Sequence, residues 1–214
     1  MAEFLVYALA SSRVGPVRVR GVMDEPLQAL RIGHVDALVG RVRAVPKPTD
    51  ANLRRYDRVM SALWRRMPAL LPVRFGTSAR NVADLEVMVR DRERVVRSRL
   101  RAVRNRAQMT LRFASSNSSE VRPATIEHVS GTQYLRARQR EYAVPAFDPL
   151  RGAVRRWIRD ERVEKRGGVA TIYHLIPRGS ADRYQSAIED AARETGARVI
   201  VSGPWPPYAF ADLW

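Results

Sequence analysis

VATIYHLIPRGSADRYQSAIEDAARETGARVIVS, running from Val169 to Ser202, reads as strand, helix and strand in turn. Val169–Ile176 is a mostly apolar run rich in β-branched and aromatic residues, the composition of a buried strand. Pro177–Ser180 makes a turn, with Ser180 placed to cap a helix. Tyr184, Ile188, Ala191 and Thr195 recur at helical spacing, and Gly196 supplies a left-handed stop. Arg198–Ser202 closes the unit as a second strand. Upstream, Ala107–Ala114 alternates Met109, Leu111 and Phe113 with Thr110 and Arg112, the period of another strand. The order strand, helices, strand, helix, strand is that of a sheet with split βαβ units.

Between these strands, Ser115–Glu120 reads as a polar loop, Thr125–Val129 as a short strand and Thr132–Ala143 as a helix broken by Pro145. Asp148-Pro149 marks a helix cap with proline at the first helical position. That helix carries Leu150, Val154, Trp157 and Ile158 on one face, and Gly167-Gly168 is expected to stop it.

The first half is built differently. Phe4–Ala10 is a continuous apolar run, as in a buried strand, and Val17–Val22 alternates with arginine like a half-exposed one. LQALRI and VDALVGRV, between Leu27 and Val42, flank a tight turn at Gly33-His34. Thr49 or Asp50 caps an amphipathic helix whose face includes Leu53, Tyr56, Met60, Leu63 and Met67. A strand over Leu70–Phe75 follows. From Thr77 or Ser78 one long helix to about Arg104 carries the stripe Val82, Leu85, Val89, Val96, Leu100 and Val103. The expected class is therefore α+β, in two small domains. Residues 1–105 form the first; residues 106–214 form a ferredoxin-like open sheet with helices on one face and a proline/aromatic tail. No internal repeat is visible in the sequence.

With 214 residues and 45% hydrophobic content, the chain can bury a core. It has no cysteine, so disulfides, thiolate nucleophiles and cysteine–zinc sites are excluded. No apolar run spans a bilayer, and the start Met-Ala-Glu-Phe is unlike a signal peptide, so a cytoplasmic protein is expected. The net charge is +16, and all basic residues but Lys47 and Lys165 are arginine. Such a surplus attracts nucleic acid or acidic proteins, or simply forms a solvated face. The densest stretch, from Arg90 to Arg106, lacks interleaved aromatics for base stacking.

The residues of an active site are not found together. His34, His128 and His174 are scattered, with no second histidine one helical turn away. His174, in an apolar strand, reads as a packing residue. There is no nucleophile elbow, P-loop or dinucleotide fingerprint. Asp84, Glu86, Asp91 and Glu93 read as partners in exposed ion pairs each worth a few tenths of a kcal/mol. No catalytic residue, cofactor or metal site is expected.

The C-terminal run Gly203-Pro-Trp-Pro-Pro-Tyr-Ala-Phe210 is stiffened by three prolines, which are expected to prevent strand pairing there. Trp205, Tyr208 and Phe210 hang large apolar surfaces on that frame, with Pro206 and Pro207 between them. The segment can seal the protein's own core, offer a preorganised patch to another subunit, or both. This run closely resembles the terminal signature of the GvpL/GvpF family of gas vesicle proteins. Leu71-Pro-Val-Arg-Phe-Gly-Thr77 resembles that family's central motif, in which Pro72, Arg74, Phe75, Gly76 and Thr77 read as structural. Phe4-Leu-Val-Tyr7, Val35–Val39, Gly131-Thr-Gln-Tyr-Leu135 and Val169–Ser202 are similar too, in the same order. The sequence departs from the family where Tyr56 replaces a frequent histidine, and where Asn105 and Gln108 replace a glycine and a glutamate.

The resemblance implies two α+β domains without enzymatic activity. It also implies an accessory role in gas vesicle formation, with the hydrophobic shell protein and other accessory proteins as partners. Candidate contact or fold-sealing residues are Trp205, Pro206, Pro207, Tyr208 and Phe210. A nucleic-acid-binding module is the alternative that the charge alone suggests.

Overall fold

The computed structural model describes residues 2–11, 15–114 and 144–212. The chain divides into two compact units, Met1–Gln108 with Pro204–Trp214, and Met109–Gly203. The expected loop, strand and helix between Ser115 and Ala143 lie outside the described residues, as does the Gly131–Leu135 motif.

The first unit is built on strands β1 (Glu3–Ser11), β2 (Leu27–Ile32), β3 (Val35–Val42) and β4 (Leu70–Pro72), in the spatial order β2-β3-β1-β4. A two-residue strand β5 (Ser78–Ala79) also pairs with β1. All these pairings are antiparallel. β1 lies inside the sheet, and every residue from Phe4 to Ala10 is buried, which is why it reads as an unbroken apolar run. β2 and β3 form the expected hairpin about Gly33-His34. The half-exposed strand expected over Val17–Val22 is absent; only an isolated bridge, Arg20 to Pro26, remains. That segment instead turns back on itself, the Gly21 amide donating to the Glu25 carbonyl.

Helix α1 (Asp50–Arg66) begins at Thr49, whose hydroxyl accepts the Asn52 amide at 3.3 Å. It buries Tyr56, Val59, Met60, Leu63 and Trp64. The single long helix expected after it is two, α2 (Val82–Arg90) and α3 (Glu93–Val103), and the cap is Asn81 rather than Thr77 or Ser78. The stripe Leu85, Val89, Val96, Leu100, Val103 is buried as expected, whereas Val82 is exposed. A tertiary contact lies just past the break. Glu93, in the first turn of α3, accepts from the His34 amide at 3.1 Å and bonds the His34 ring at 2.9 Å.

The second unit holds most of β6 (Arg106–Ala114), β7 (Asp160–Arg166), β8 (Val169–Pro177) and most of β9 (Val199–Trp205), in the order β7-β8-β6-β9. With α4 (Asp148–Val154) before β7 and α5 (Ala181–Thr195) before β9, this is the ferredoxin-like arrangement. His174 on β8 touches Phe147, just before α4, and Tyr184 on α5, so both helical segments lie on one face of β8. α4 ends at Val154, not at Gly167-Gly168. Asp160–Arg166 is instead a strand paired residue by residue with β8. Gly167 and Gly168, at φ +53 and +74, make the two-residue turn of a hairpin, a geometry that demands two left-handed residues. Pro145 starts a short 3-10 turn (Pro145–Phe147) that runs into α4.

Counted by chain order, both sheets have their strands in the order second, third, first, fourth. The sequence shows no repeat, but the topology contains one.

Candidate functional site

The two long motifs meet in the first unit. After β4, Val73 donates its amide to the Tyr7 carbonyl at 3.0 Å. Tyr7 sits at a register shift between Val6 and Ala8 in the pairing of β1 with β3. Arg74 is exposed, and its carbonyl accepts both the Thr77 amide (3.1 Å) and the Thr77 hydroxyl (2.8 Å). Gly76 takes φ +87 in this turn, and Thr77 returns the chain to β1 by accepting the Val6 amide at 2.9 Å. Pro72 is buried and Phe75 packs edge-on against Tyr56 at 5.2 Å. The motif thus joins β4 to β5 along one edge of β1.

Beneath it lies a buried polar network that the sequence reading missed. Tyr56 stacks on Tyr7 at 5.6 Å, and its hydroxyl reaches the carbonyls of Tyr7 (3.0 Å) and Val73. The Tyr7 hydroxyl donates to Glu25 Oε1 at 2.5 Å and accepts the Val22 amide at 2.8 Å. Met23 donates its amide to Glu25 Oε2 at 2.9 Å. Burial raises the pKa of both tyrosines, keeping them neutral donors. Glu25 is 7% exposed. It fits because Gly40 has no side chain: a Cβ there would meet Glu25 Cγ and Oε1 at 2.6 Å.

The C-terminal run docks on the same unit. β9 continues through Gly203 and Pro204 to Trp205, contrary to the expectation that proline would end pairing there. β9 is an edge strand, and the outer side of an edge needs no N–H. Pro206, Pro207, Phe210 and Ala211 are buried, Tyr208 is half-buried and Trp205 is 38% exposed. The Tyr208 hydroxyl donates to Asp57 on α1 at 2.8 Å, the Ala209 amide to Gln108 Oε1 at 2.8 Å, and Arg99 on α3 to the Phe210 carbonyl at 3.4 Å. These contacts explain why the tail groups with residues 1–108, not with the second domain to which the sequence reading attached it. The positions where the sequence departs from its family resemblance are used here. Gln108 receives the tail, Tyr56 ties the motif to β1, and Asn105 holds a left-handed φ of +54, which asparagine tolerates.

The second unit has its own buried polar chain. His174, fully buried, contacts Tyr184 through Nδ1 at 2.5 Å and Glu161 through Nε2 at 2.7 Å. Arg151 closes on both oxygens of Glu161 at 3.0 and 3.2 Å. Hydrogen bonds from His174 and then Arg151 pull the Glu161 carboxyl down to about 2, against the opposing effect of burial. Burial pushes His174 down, outweighing the Glu161 contact. The arrangement that satisfies both is an ionised Glu161 accepting from Nε2–H of a neutral His174, with Nδ1 accepting from Tyr184. Tyr184 is also fully buried, and only the Glu161–Arg151 end of the chain reaches solvent, with side chains 26% and 45% exposed.

Asp36, 3% exposed on β3, accepts from Arg31 Nε at 2.5 Å. Arg80–Asp84 and Arg90–Glu86 are exposed pairs one helical turn apart. Among the described residues, no group of three acidic, histidine or cysteine side chains could hold a metal. None of their helices is long and apolar enough to cross a membrane.

Residues 3–212 match the profile of the family described as gas vesicle synthesis protein GvpL/GvpF. The chain belongs to this family. Gas vesicle protein L of Streptomyces sp. (strain CB03234) is 28% identical, the match covering 97% of this chain and 92% of that one. The crystal structure of GvpF from Microcystis aeruginosa matches with a TM-score of 0.75 at 14% identity, over 99% of both chains. GvpF from Anabaena sp. PCC7120 gives 0.74 at 13% identity over 100% of both. These two structures bear out the α+β fold; the family assignment places this GvpL/GvpF chain in gas vesicle formation.

Proposed function

We propose that this protein is a cytoplasmic, gas vesicle-associated accessory factor that binds the shell protein and other accessory proteins during vesicle assembly. The observation that carries the reading is the C-terminal run. Its buried members, Pro206, Pro207 and Phe210, anchor it, while Trp205 stays 38% exposed on a backbone stiffened by proline. A large aromatic held rigidly at the surface loses little entropy on docking, and tryptophan is enriched among residues that dominate interfaces. In this reading Trp205 contacts the shell protein, whereas Tyr208, Phe210 and the Pro72–Thr77 motif hold the fold that presents it. Deleting the gene in a vesicle-forming host is expected to lower vesicle yield, and restoring it with Trp205→Ala to recover less than the unaltered gene. Purified Trp205→Ala should remain folded, with a lowered thermal midpoint at most, but lose co-purification with the shell protein. Full yield on deletion, in a host without a second copy, overturns the role. Retained co-purification overturns only the contact.

A further inference from the structure

Two adjoining hollows open on the first unit, of about 400 Å³ and about 220 Å³. Both are bordered by Ser11, Ala69 and Arg104, so they form one cleft. Arg97 and Arg101 line it from one face of α3, at a spacing of four, and Arg104 from the cap at its end. Arg66, at the end of α1, and His34, in the β2–β3 turn, complete the basic rim. Among the described residues, none of the four arginines forms an ion pair within 4.0 Å. Asp84 pairs with Arg80 and Glu86 with Arg90, and Glu93 bonds His34 at the rim, feeling the charge of Arg97 without closing on it. The apolar lining that solvent reaches is Pro16, Val17 and Pro68, while Met67, Ala69 and Leu100 lie nearly inaccessible beneath it.

We propose that this cleft binds an acidic, amphipathic helical segment of a protein partner. Arg97, Arg101 and Arg104 stand about one helical turn apart, roughly 5 Å of rise, the repeat of carboxylates at i and i+3 or i+4 on a facing helix. Guanidinium groups take carboxylates as bidentate partners, and the apolar wall takes the alternate side chains of such a helix. Nucleic acid fits less well. No aromatic lines the cleft for base stacking, and a phosphate backbone gains nothing from the apolar Pro16, Val17 and Pro68. The proposal goes beyond the Trp205 contact and does not depend on it.

The test is anisotropy titration of the full chain with a fluorescein-labelled peptide carrying glutamate and leucine at helical spacing. Salt is set near 0.15 M, where the Debye length is about 8 Å and diffuse attraction is screened. R97Q/R101Q/R104Q is expected to weaken binding by about tenfold or more, the scale of lost close charge contacts. R43Q/R54Q/R58Q removes the same charge from exposed positions outside the cleft and should change affinity by less than about twofold. A peptide with glutamine for glutamate should not bind. Equal weakening by both variants, binding of the glutamine peptide, or a DNA duplex that displaces the peptide and itself depends on Arg97, Arg101 and Arg104 each overturns the proposal. Should the cleft variant fail to fold, a benzophenone-bearing peptide on the unaltered protein decides. Crosslinks within residues 97–104 or 66–69 support it, and crosslinks confined elsewhere overturn it.

Discussion

The two units share a strand order, but buried Glu25 in the first and half-buried Glu161 in the second are held in opposite ways, while Asp36 on β3 takes Arg31. In the first, Glu25 is held by neutral donors, the Tyr7 hydroxyl and the Met23 amide. In the second, Glu161 is held by Arg151 and by a histidine that burial keeps uncharged. The same sheet topology therefore supports a network without a histidine in one unit and a titrating one in the other. A shared topology does not dictate the chemistry that stabilises a polar group packed against it. The units also differ in closure. The first unit is completed by a segment distant in sequence, the tail, whereas the second is closed by its own helices.

The largest expected effect breaks that closure. Phe210→Ala removes a side chain that is 3% exposed, and core phenylalanine truncations cost about 3–5 kcal/mol. Hydrogen exchange should show the loss in β1 and β3; unchanged protection there would mean the tail is dispensable to the first unit. Glu161→Ala comes next. It leaves Arg151 and the His174 N–H without their acceptor, and about 2–3 kcal/mol should be lost from the urea unfolding of the second unit. Trp157 is the only tryptophan in that unit and reports on it by fluorescence.

Acid should separate the units more gently. A carboxylate depressed to about 2 contributes stability that is full above its ordinary 4.5 and is lost as the pH falls toward 2, here about 2 kcal/mol after allowance for solvent screening. His174, depressed from 6.5, adds a contribution present above that pH and lost as it falls further. Urea midpoints read at Trp157 should thus decline below about pH 6.5. His174→Gln should abolish the upper part of the decline, and a pH-independent midpoint would exclude the neutral-histidine arrangement. The smallest effect is expected for Tyr208→Phe, which removes the hydroxyl bonded to Asp57 and should cost about 0.5–1.5 kcal/mol in thermal unfolding.

Much of this fold is legible locally. The β2–β3 hairpin, the Thr49 cap, the run of β1 and the left-handed stop at Gly196 all rest on signals contained within a few residues. The misreadings share a cause. DERVEKR, from Asp160 to Arg166, has no apolar period of its own and becomes a strand because the Gly167-Gly168 turn lays it against β8. The glycine pair before an apolar strand was the available signal. α2 and α3 separate at Asp91-Arg92, just before Glu93, which bonds a turn 59 residues away. Pro204 stays in a strand because that strand lies at an edge. The basic cleft was half visible: Arg97, Arg101 and Arg104 follow helical spacing, but only packing shows that Leu100, Ala69 and Met67 lie beneath them.

By itself, then, the sequence determined the α+β class, most elements, the family motifs and the absence of thiol chemistry, because periodicity, capping and composition act over short range. Tertiary structure alone decided which acids are buried, where the proline run anchors and which arginines face one another. Those outcomes depend on groups far apart in the chain, whose burial and pairing have no local signature.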